Sequence, residues 1–427
     1  MSLNGKSIIS IDDLSNLEIE EILQVAAEFD EQMTENAIGP SLKGKKLFTL
    51  FYEASSRTYF SFREAMRKLD GDWDGVLGAE SVTSVAKGES IADTIRTIEL
   101  VSDVIVIRHP LDGSARVAQE YSSKPIINGG DGAREHPTQT LVDLYTILKE
   151  KGQIKGQVIG LCGDLLNSRT IHSLAYALTR MGAKIRTLAL PSLAFPPHVR
   201  GKLQSMNADL QEYSAPSEVF KESGSLLLQS GVPNSPGKSN PIGLQTRYET
   251  TNDFFQELTA LYMTRLQTER FDNQLESSQL EIETITSKLL SIAPQETIIM
   301  HPLPRRQEIA YEVDDDHRAA YFRQMKNSIP VRMAILSLIL GAKESNSTSD
   351  TTDIRVFVDP TNTEPCSNSR CVLNHETYLT QQVFHRKDQS ADIRCLYCDQ
   401  EIRFKILKTN NSLSSSQEKP PMKEGTN

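Results

Sequence analysis

The sequence predicts an α/β protein built from two doubly wound parallel-sheet domains and closed by a small C-terminal β domain. Three observations carry this expectation. Apolar, β-branched runs alternate with segments of helical period, the pattern of a parallel sheet with helices on its faces. A second round of that alternation begins near Lys155. Four of the five cysteines, Cys366, Cys371, Cys395 and Cys398, crowd into the last fifth of the 427-residue chain, while Cys162 stands apart.

Taken in order, "KKLFTLFYE" reads as a buried strand, and the segment after it places Phe62, Ala65, Met66 and Leu69 on one helical face. Ile91, Ile95 and Ile98 mark a second helix, "DVIVIRHP" a second strand, and "HPTQTLVDLYTILKE" a helix whose proline falls in the tolerant first turn. "QVIGLCGD", "NSRTIHSLAYALTRMG" closed by Gly182, and "KIRTLALP" form a βαβ unit. Only Gly160 and Gly163 precede its helix, so no dinucleotide fingerprint is present. Eleven of the fourteen residues from Ser230 to Gly243 are Gly, Pro, Ser or Asn, which predicts a long irregular loop. "TALYMTRLQ" and "ETIIMHPLP" read as strands and "VRMAILSLILGA" as a closing helix.

The domain boundaries expected from this are 1–145, completed by a C-terminal helix over about 328–342, and 146–327, with an insertion over about 216–247. A polar linker spans 343–353, the cysteine-bearing domain 354–407, and a tail of disordered composition 408–427. Each of the two large domains is expected to hold its own core.

A formal net charge of −10 argues against a general nucleic-acid binder, so any anion site must be local. No stretch reaches the ~18 apolar residues of a membrane span, and the start lacks a basic region followed by an apolar run; a cytoplasmic protein with no membrane partner is expected.

Within "FYEASSRTYFSF", Ser55, Ser56, Arg57 and Thr58 fall where a strand turns into a helix. Such a turn gathers backbone N–H groups, the positive end of the helix dipole, three hydroxyls and a guanidinium at one point, and phosphate is its natural guest. Alone, the motif equally fits an ordinary N-cap beside an exposed arginine. Other segments shift the balance. The predicted strand ends carry Ser84 and Lys87, Arg108 and His109, His136 and Gln139, Arg169, Arg265 and Gln267, and the turn His301 to Pro304. In open α/β sheets, ligands bind outside the carboxyl ends of the strands, so these segments are expected to converge on one crevice. The set is cationic or amide-bearing almost throughout and holds no nucleophile–base pair and no acidic metal cluster. Catalysis by positioning and electrostatic stabilisation, with no cofactor, is expected.

"FYEASSRT", "SVAKGE", "IRHP", "NGGDGAREHPTQTLVDL", "LCGDLLNSRTIHSL", "LYMTRLQTERF" and "HPLPRRQEIAYEV" resemble, in order and spacing over residues 5 to 340, the catalytic chain of the aspartate carbamoyltransferase family. The resemblance implies transfer of the carbamoyl group of carbamoyl phosphate to L-aspartate, giving N-carbamoyl-L-aspartate and phosphate in pyrimidine synthesis. It implies that Ser55, Ser56, Arg57 and Thr58 cradle the phosphate, with Gln139 at the carbamoyl group. By the same resemblance, Thr58, Arg108 and His136 would polarise the carbonyl. Arg169, Arg265 and Gln267 would hold the aspartate carboxylates, and the carbonyls of Leu303 and Pro304 would orient the amine. Ser84 and Lys87 would reach a neighbouring subunit's site, so the resemblance implies a homotrimer. Ser56, Tyr59 and the "RRQEI" after the HPLP turn depart from the family's usual threonine, basic residue and "RVDEI"; Gln307 removes a charge there.

Four residues separate Cys366 from Cys371, two separate Cys395 from Cys398, and twenty-three lie between the pairs. Two short cysteine pairs at this spacing predict a structural zinc held by four thiolates. Their surroundings resemble the zinc-binding part of the same family's regulatory chain, without the nucleotide-binding part that precedes it there, and imply a higher oligomer formed through this domain. Two other readings stay open at this stage: an ornithine or other amino-acid carbamoyltransferase, and a catalytically silent, zinc-dependent assembly subunit. "TRLQTERF" and the HPLP turn favour aspartate over ornithine, whose enzymes typically carry a cysteine in that turn.

Overall fold

The computed structural model describes residues 3–35, 41–79, 84–214, 251–268, 284–345, 355–386 and 393–405. The insertion expected over about 216–247, the loop 230–243, most of the linker and the tail lie outside these residues.

The first sheet contains β1 (Lys46–Phe51), β2 (Asp72–Leu77), β3 (Val104–His109) and β4 (Ile126–Asp131), ordered β2-β1-β3-β4 and all parallel. Alternation along the strands sends Leu47, Phe51, Val104 and Val106 to one face and Leu50, Ile105 and Ile107 to the other. The first face is covered by α1 (Asn16–Glu35), α2 (Ser56–Lys68), α5 (Pro137–Lys151) and the long α10 (Tyr321–Ile339). α3 (Ile91–Ile98) and α4 (Ser114–Glu120) lie on the second.

The second sheet is ordered β7-β6-β5-β8-β9, again parallel: β5 (Val158–Cys162), β6 (Lys184–Ala189), β7 (Leu210–Ser214), β8 (Ala260–Met263) and β9 (Ile298–Met300). Helices α6 (Arg169–Arg180) and α7 (Pro197–Ser205) share the large core with the first sheet's helices. The short α8 (Thr251–Phe255) and α9 (Ser287–Leu290) belong to a separate cluster on the other face.

Three strands escape periodicity. β2, "DWDGVL", is a half-exposed edge; β4, "IINGGD", contains two glycines; β7, "LQEYS", is a polar edge. Helix α10 begins at Tyr321, ahead of the expected 328, and continues through Pro330. Its early turns bury polar Gln324 and Asn327, which bond Asp143 and Thr146 of α5 at 2.7 and 3.0 Å, so an apolar pattern could not reveal them. The strand expected from "TALYMTRLQ" ends at Met263, and the chain leaves the sheet before Arg265.

The C-terminal domain is a small antiparallel sheet, β10 (Arg355–Val358), β11 (Val383–Arg386) and β12 (Arg394–Cys395), with Cys395 ending β12 and the other three cysteines outside the strands. Val372, Val383, Ile393, Tyr397 and Ile402 join one apolar cluster with Ile95, Ile105, Ile107 and Val117 of the first sheet's outer layer. The core of the first domain is therefore not self-contained: the cysteine domain forms part of its outer layer. Each fully buried side chain of this kind contributes about 1.5–3 kcal/mol, so the seat matters to both partners. Gly113 makes it possible, because a Cβ there would lie 2.7 Å from the Tyr397 carbonyl oxygen.

Candidate active site

The ends of β1, β3, β5, β8 and β9 open onto one cavity of about 750 Å3, lined from both large sheets. Its charged lining is lopsided. Among the described residues that line it, Arg57, Arg108, Arg169, Arg265, Arg332 and Arg370 face a single carboxylate, Glu53.

β1 delivers the chain to Ser55, the N-cap of α2, and no side chain caps that helix. Instead Ser55 Oγ donates to Thr58 Oγ1 at 3.2 Å, and the first-turn N–H groups and dipole remain for an anion. Arg57, on that turn, donates from Nη2 to the Leu303 carbonyl at 2.7 Å across the cavity. Burial and the nearby Arg265 pull its pKa below the usual arginine value. A guanidinium stays charged regardless.

Arg108 is the penultimate residue of β3; its Nη1 donates to Gly129 O at 3.0 Å and its Nη2 bonds Glu53. Arg169, first residue of α6, donates from Nη1 to Gly132 O at 2.7 Å and from Nη2 to the same Glu53 oxygen. Glu53 thus holds two arginines with one carboxylate. His136 caps α5 from a buried position, and burial with Arg108 and Arg169 nearby holds its pKa well below the usual histidine value. The imidazole is neutral, and its Nδ1 lies 3.4 Å from Thr138 Oγ1. If that hydroxyl donates, Nε2 carries the proton.

Gln139 Nε2 donates to Asp143 Oδ1 at 2.7 Å, an oxygen shared with Gln324 Nε2, while Tyr262 Oη donates to Asp143 Oδ2 at 2.8 Å. Burial pushes Asp143 up to about 7 against these bonds. Past β8, the Gln267 N–H donates to buried Asp164 at 3.0 Å, and Gln267 Nε2 donates to Arg265 O at 3.3 Å. After β9 comes the cis Leu303–Pro304 bond. His301 sets that turn: its Nδ1 accepts from Leu303 N–H at 2.7 Å, so Nε2 is the nitrogen that donates to Glu308 at 2.8 Å. Gln307 is exposed, and its backbone N–H donates to Glu308 at 3.1 Å, an arrangement that does not use its side chain.

Of the residues expected at the site, Ser55, Ser56, Arg57, Thr58, Arg108, His136, Gln139, Arg169, Arg265, Gln267, Leu303 and Pro304 line this cavity. Ser84 and Lys87 do not; they form an exposed 3-10 turn where a strand end was expected. Glu53, Asp143, Gln324 and Arg370 were missed. Asp143 follows Gln139 by four residues on one helix and so was within reach of a spacing argument; Gln324 and Arg370 come from distant elements with no local signal.

The sulfurs of Cys366, Cys371, Cys395 and Cys398 all lie within 4.8 Å of one another and are buried. The Cys366–Cys398 and Cys371–Cys395 separations are 3.5 and 3.8 Å. A tetrahedral ion with bonds of ~2.3 Å requires edges of about 3.8 Å, so the cluster fits a four-thiolate metal site. Among the described residues no helix is long and apolar enough to cross a membrane.

Residues 6–150 match the family model of the aspartate/ornithine carbamoyltransferase carbamoyl-P binding domain, and residues 238–339 that of the Asp/Orn binding domain. Residues 362–408 match the metal binding domain of the aspartate carbamoyltransferase regulatory chain. The aspartate carbamoyltransferase catalytic subunit of Thermococcus gammatolerans is 42% identical over 342 residues, covering 80% of this chain and 99% of its own. That of Methanopyrus kandleri is 41% identical over 342 residues, with the same coverage. Aspartate transcarbamoylase of Trypanosoma cruzi in complex with carbamoyl phosphate and aspartate superposes with a TM-score of 0.66 at 34% identity, over 79% of this chain and 98% of that one. With cavity, sheets and cysteine cluster all in agreement, the chain belongs to the aspartate carbamoyltransferase family, as a catalytic chain continued by the metal-binding domain of the regulatory chain.

Proposed function

We propose that the cavity binds carbamoyl phosphate and L-aspartate together and transfers the carbamoyl group to the amino nitrogen, releasing phosphate and N-carbamoyl-L-aspartate. The observation that carries this is the excess of arginine over carboxylate, divided between the α2 turn on one side and Arg169 and Arg265 on the other. The uncapped turn Ser55 to Thr58 receives the phosphate. Arg108, Thr58 and neutral His136 surround the carbamoyl oxygen, where negative charge grows as the amine attacks. Because Gln139 Nε2 is engaged by Asp143, its amide oxygen is left to accept from the carbamoyl NH2. Arg169, Arg265 and Gln267 take the two carboxylates, matching a guanidinium fork to each planar anion. The carbonyls of Leu303 and Pro304 receive the amine hydrogens. A C–N bond forms, the bond from the carbamoyl carbon to the phosphate oxygen breaks, and the proton that the amine loses passes to the departing phosphate.

The four cysteines hold a structural zinc. Ser84 and Lys87, exposed and away from their own cavity, serve a neighbour's site in a homotrimer, and the metal-binding domain offers a route to a higher oligomer. The test is product formation by the purified chain with aspartate and, in parallel, with ornithine. Carbamoyl aspartate from the first and nothing from the second is expected; carbamoylated ornithine, or no product from either, would overturn the reading.

A further inference from the structure

We propose that Arg370, on the turn between Cys366 and Cys371, is a substrate-binding residue that strengthens the hold on the dicarboxylate amino acid, so that the metal-binding domain supplies part of its own chain's active site. The inference rests on the site reading above and adds a residue from outside the two large domains. Arg370 lines the same cavity as Arg57, Arg108, Arg169 and Arg265.

Its backbone is fastened there. The Asp112 N–H donates to the Arg370 carbonyl at 2.9 Å, and the Val372 N–H donates to the Asp112 carbonyl at 2.9 Å. Asn368 Nδ2 donates to Asp112 Oδ2 at 2.8 Å. Asp112 Oδ1 in turn accepts from Ala133 N–H at 2.7 Å, next to Gly132, whose carbonyl receives Arg169 Nη1 at 2.7 Å. Gly132 has φ +44, and a Cβ there would stand 1.8 Å from Asp112 Oδ1, so only glycine permits the approach. A continuous set of hydrogen bonds therefore joins the cysteine turn to the loop that seats Arg169. This is why the amino-acid substrate, not the phosphate, is the anion we assign.

Arg370 also borders a second cavity of about 580 Å3. That cavity contains Asp112, Glu135, Asp399 and Glu401, whereas among the described residues the first has Glu53 alone. An arginine standing between the two adds positive potential where carboxylates are scarce.

The experiment compares wild type, Arg370→Gln and Arg370→Lys, each checked for equal metal content. R370Q should raise the KM for aspartate about tenfold, the effect of one partly screened charge, with smaller changes in kcat and in the carbamoyl phosphate KM. R370K should recover most of the loss, and added salt should narrow the gap between wild type and R370Q. Equal rises in both KM values, or no rescue by lysine, would assign Arg370 a structural role and overturn the proposal. Calorimetric titration of succinate in saturating phosphate tests the residue without turnover. Weaker binding to R370Q supports the proposal and equal binding overturns it, while absence of carbamoyl aspartate from wild type would instead count against the site reading.

Discussion

Arg57 and Leu303 meet across the cavity: the guanidinium of the α2 first turn donates to the carbonyl that precedes the cis proline, at 2.7 Å. One end of this bond belongs to the first sheet's domain and the other follows the last strand of the second, so the contact reports directly on how the two halves of the site face each other.

Arg57→Ala should therefore fold normally and lose about 10² or more in kcat, the scale of a lost electrostatic donor in a preorganised site. Steady-state kinetics beside a thermal melt decides it. Turnover near wild type in a folded variant would remove the phosphate assignment from the α2 turn.

Arg265→Ala should raise the aspartate KM far more than the carbamoyl phosphate KM. Arg265 follows β8 in the second sheet's domain, beside Gln267, whose backbone Asp164 anchors. Varying each substrate at saturation of the other separates the two effects; equal rises would place Arg265 outside the carboxylate pocket.

The buried imidazole of His136 gives a pH prediction. Its folded pKa lies well below the usual histidine value, so on acidification the unfolded chain takes up this proton first, and folding stability falls as pH drops below the unfolded value. Relative to His136→Gln, wild type should lose up to about 1.4 kcal/mol per pH unit below 6.5. Urea titrations from pH 7.5 to 5 measure the gap. A gap independent of pH would mean that the folded protein protonates this histidine as readily as the unfolded one.

Chelation, or Cys395→Ser, should unfold residues 355–405, since so small a segment depends on its metal. The shared cluster adds a second effect. Ile105 and Ile107 lose part of their cover when Val383, Ile393 and Ile402 leave, so the first domain should also melt at a lower temperature. Calorimetry with limited proteolysis tests this, and elemental analysis should find one zinc per chain. An unchanged main transition after metal loss would show that the first domain does not need this cover.

What was legible in the sequence has a physical pattern. Buried strands such as β3 and β5, continuous apolar runs, announce themselves; β2 and β4, interrupted by Asp and Gly, do not. At the site, Ser55 to Thr58 and the HPLP turn were readable because their chemistry is contiguous. Glu53 sat within the same quoted stretch yet carried no meaning until Arg108 and Arg169 were seen to converge on it. The outer-layer role of the cysteine domain was hidden for a different reason: an apolar residue such as Ile393 looks the same whether it fills its own domain's core or another's.

The fastening of Asp112 to the cysteine turn has a consequence for concentration. Between two separate polypeptides, this pairing would come apart on dilution past its dissociation constant. Joined through one backbone, the two surfaces meet at an effective concentration that reaches the millimolar range for short tethers. Dilution of the protein cannot lower it. The association becomes a unimolecular equilibrium, with the same occupancy at nanomolar as at micromolar protein, and a single cut in the connecting segment would restore the ordinary dependence on concentration.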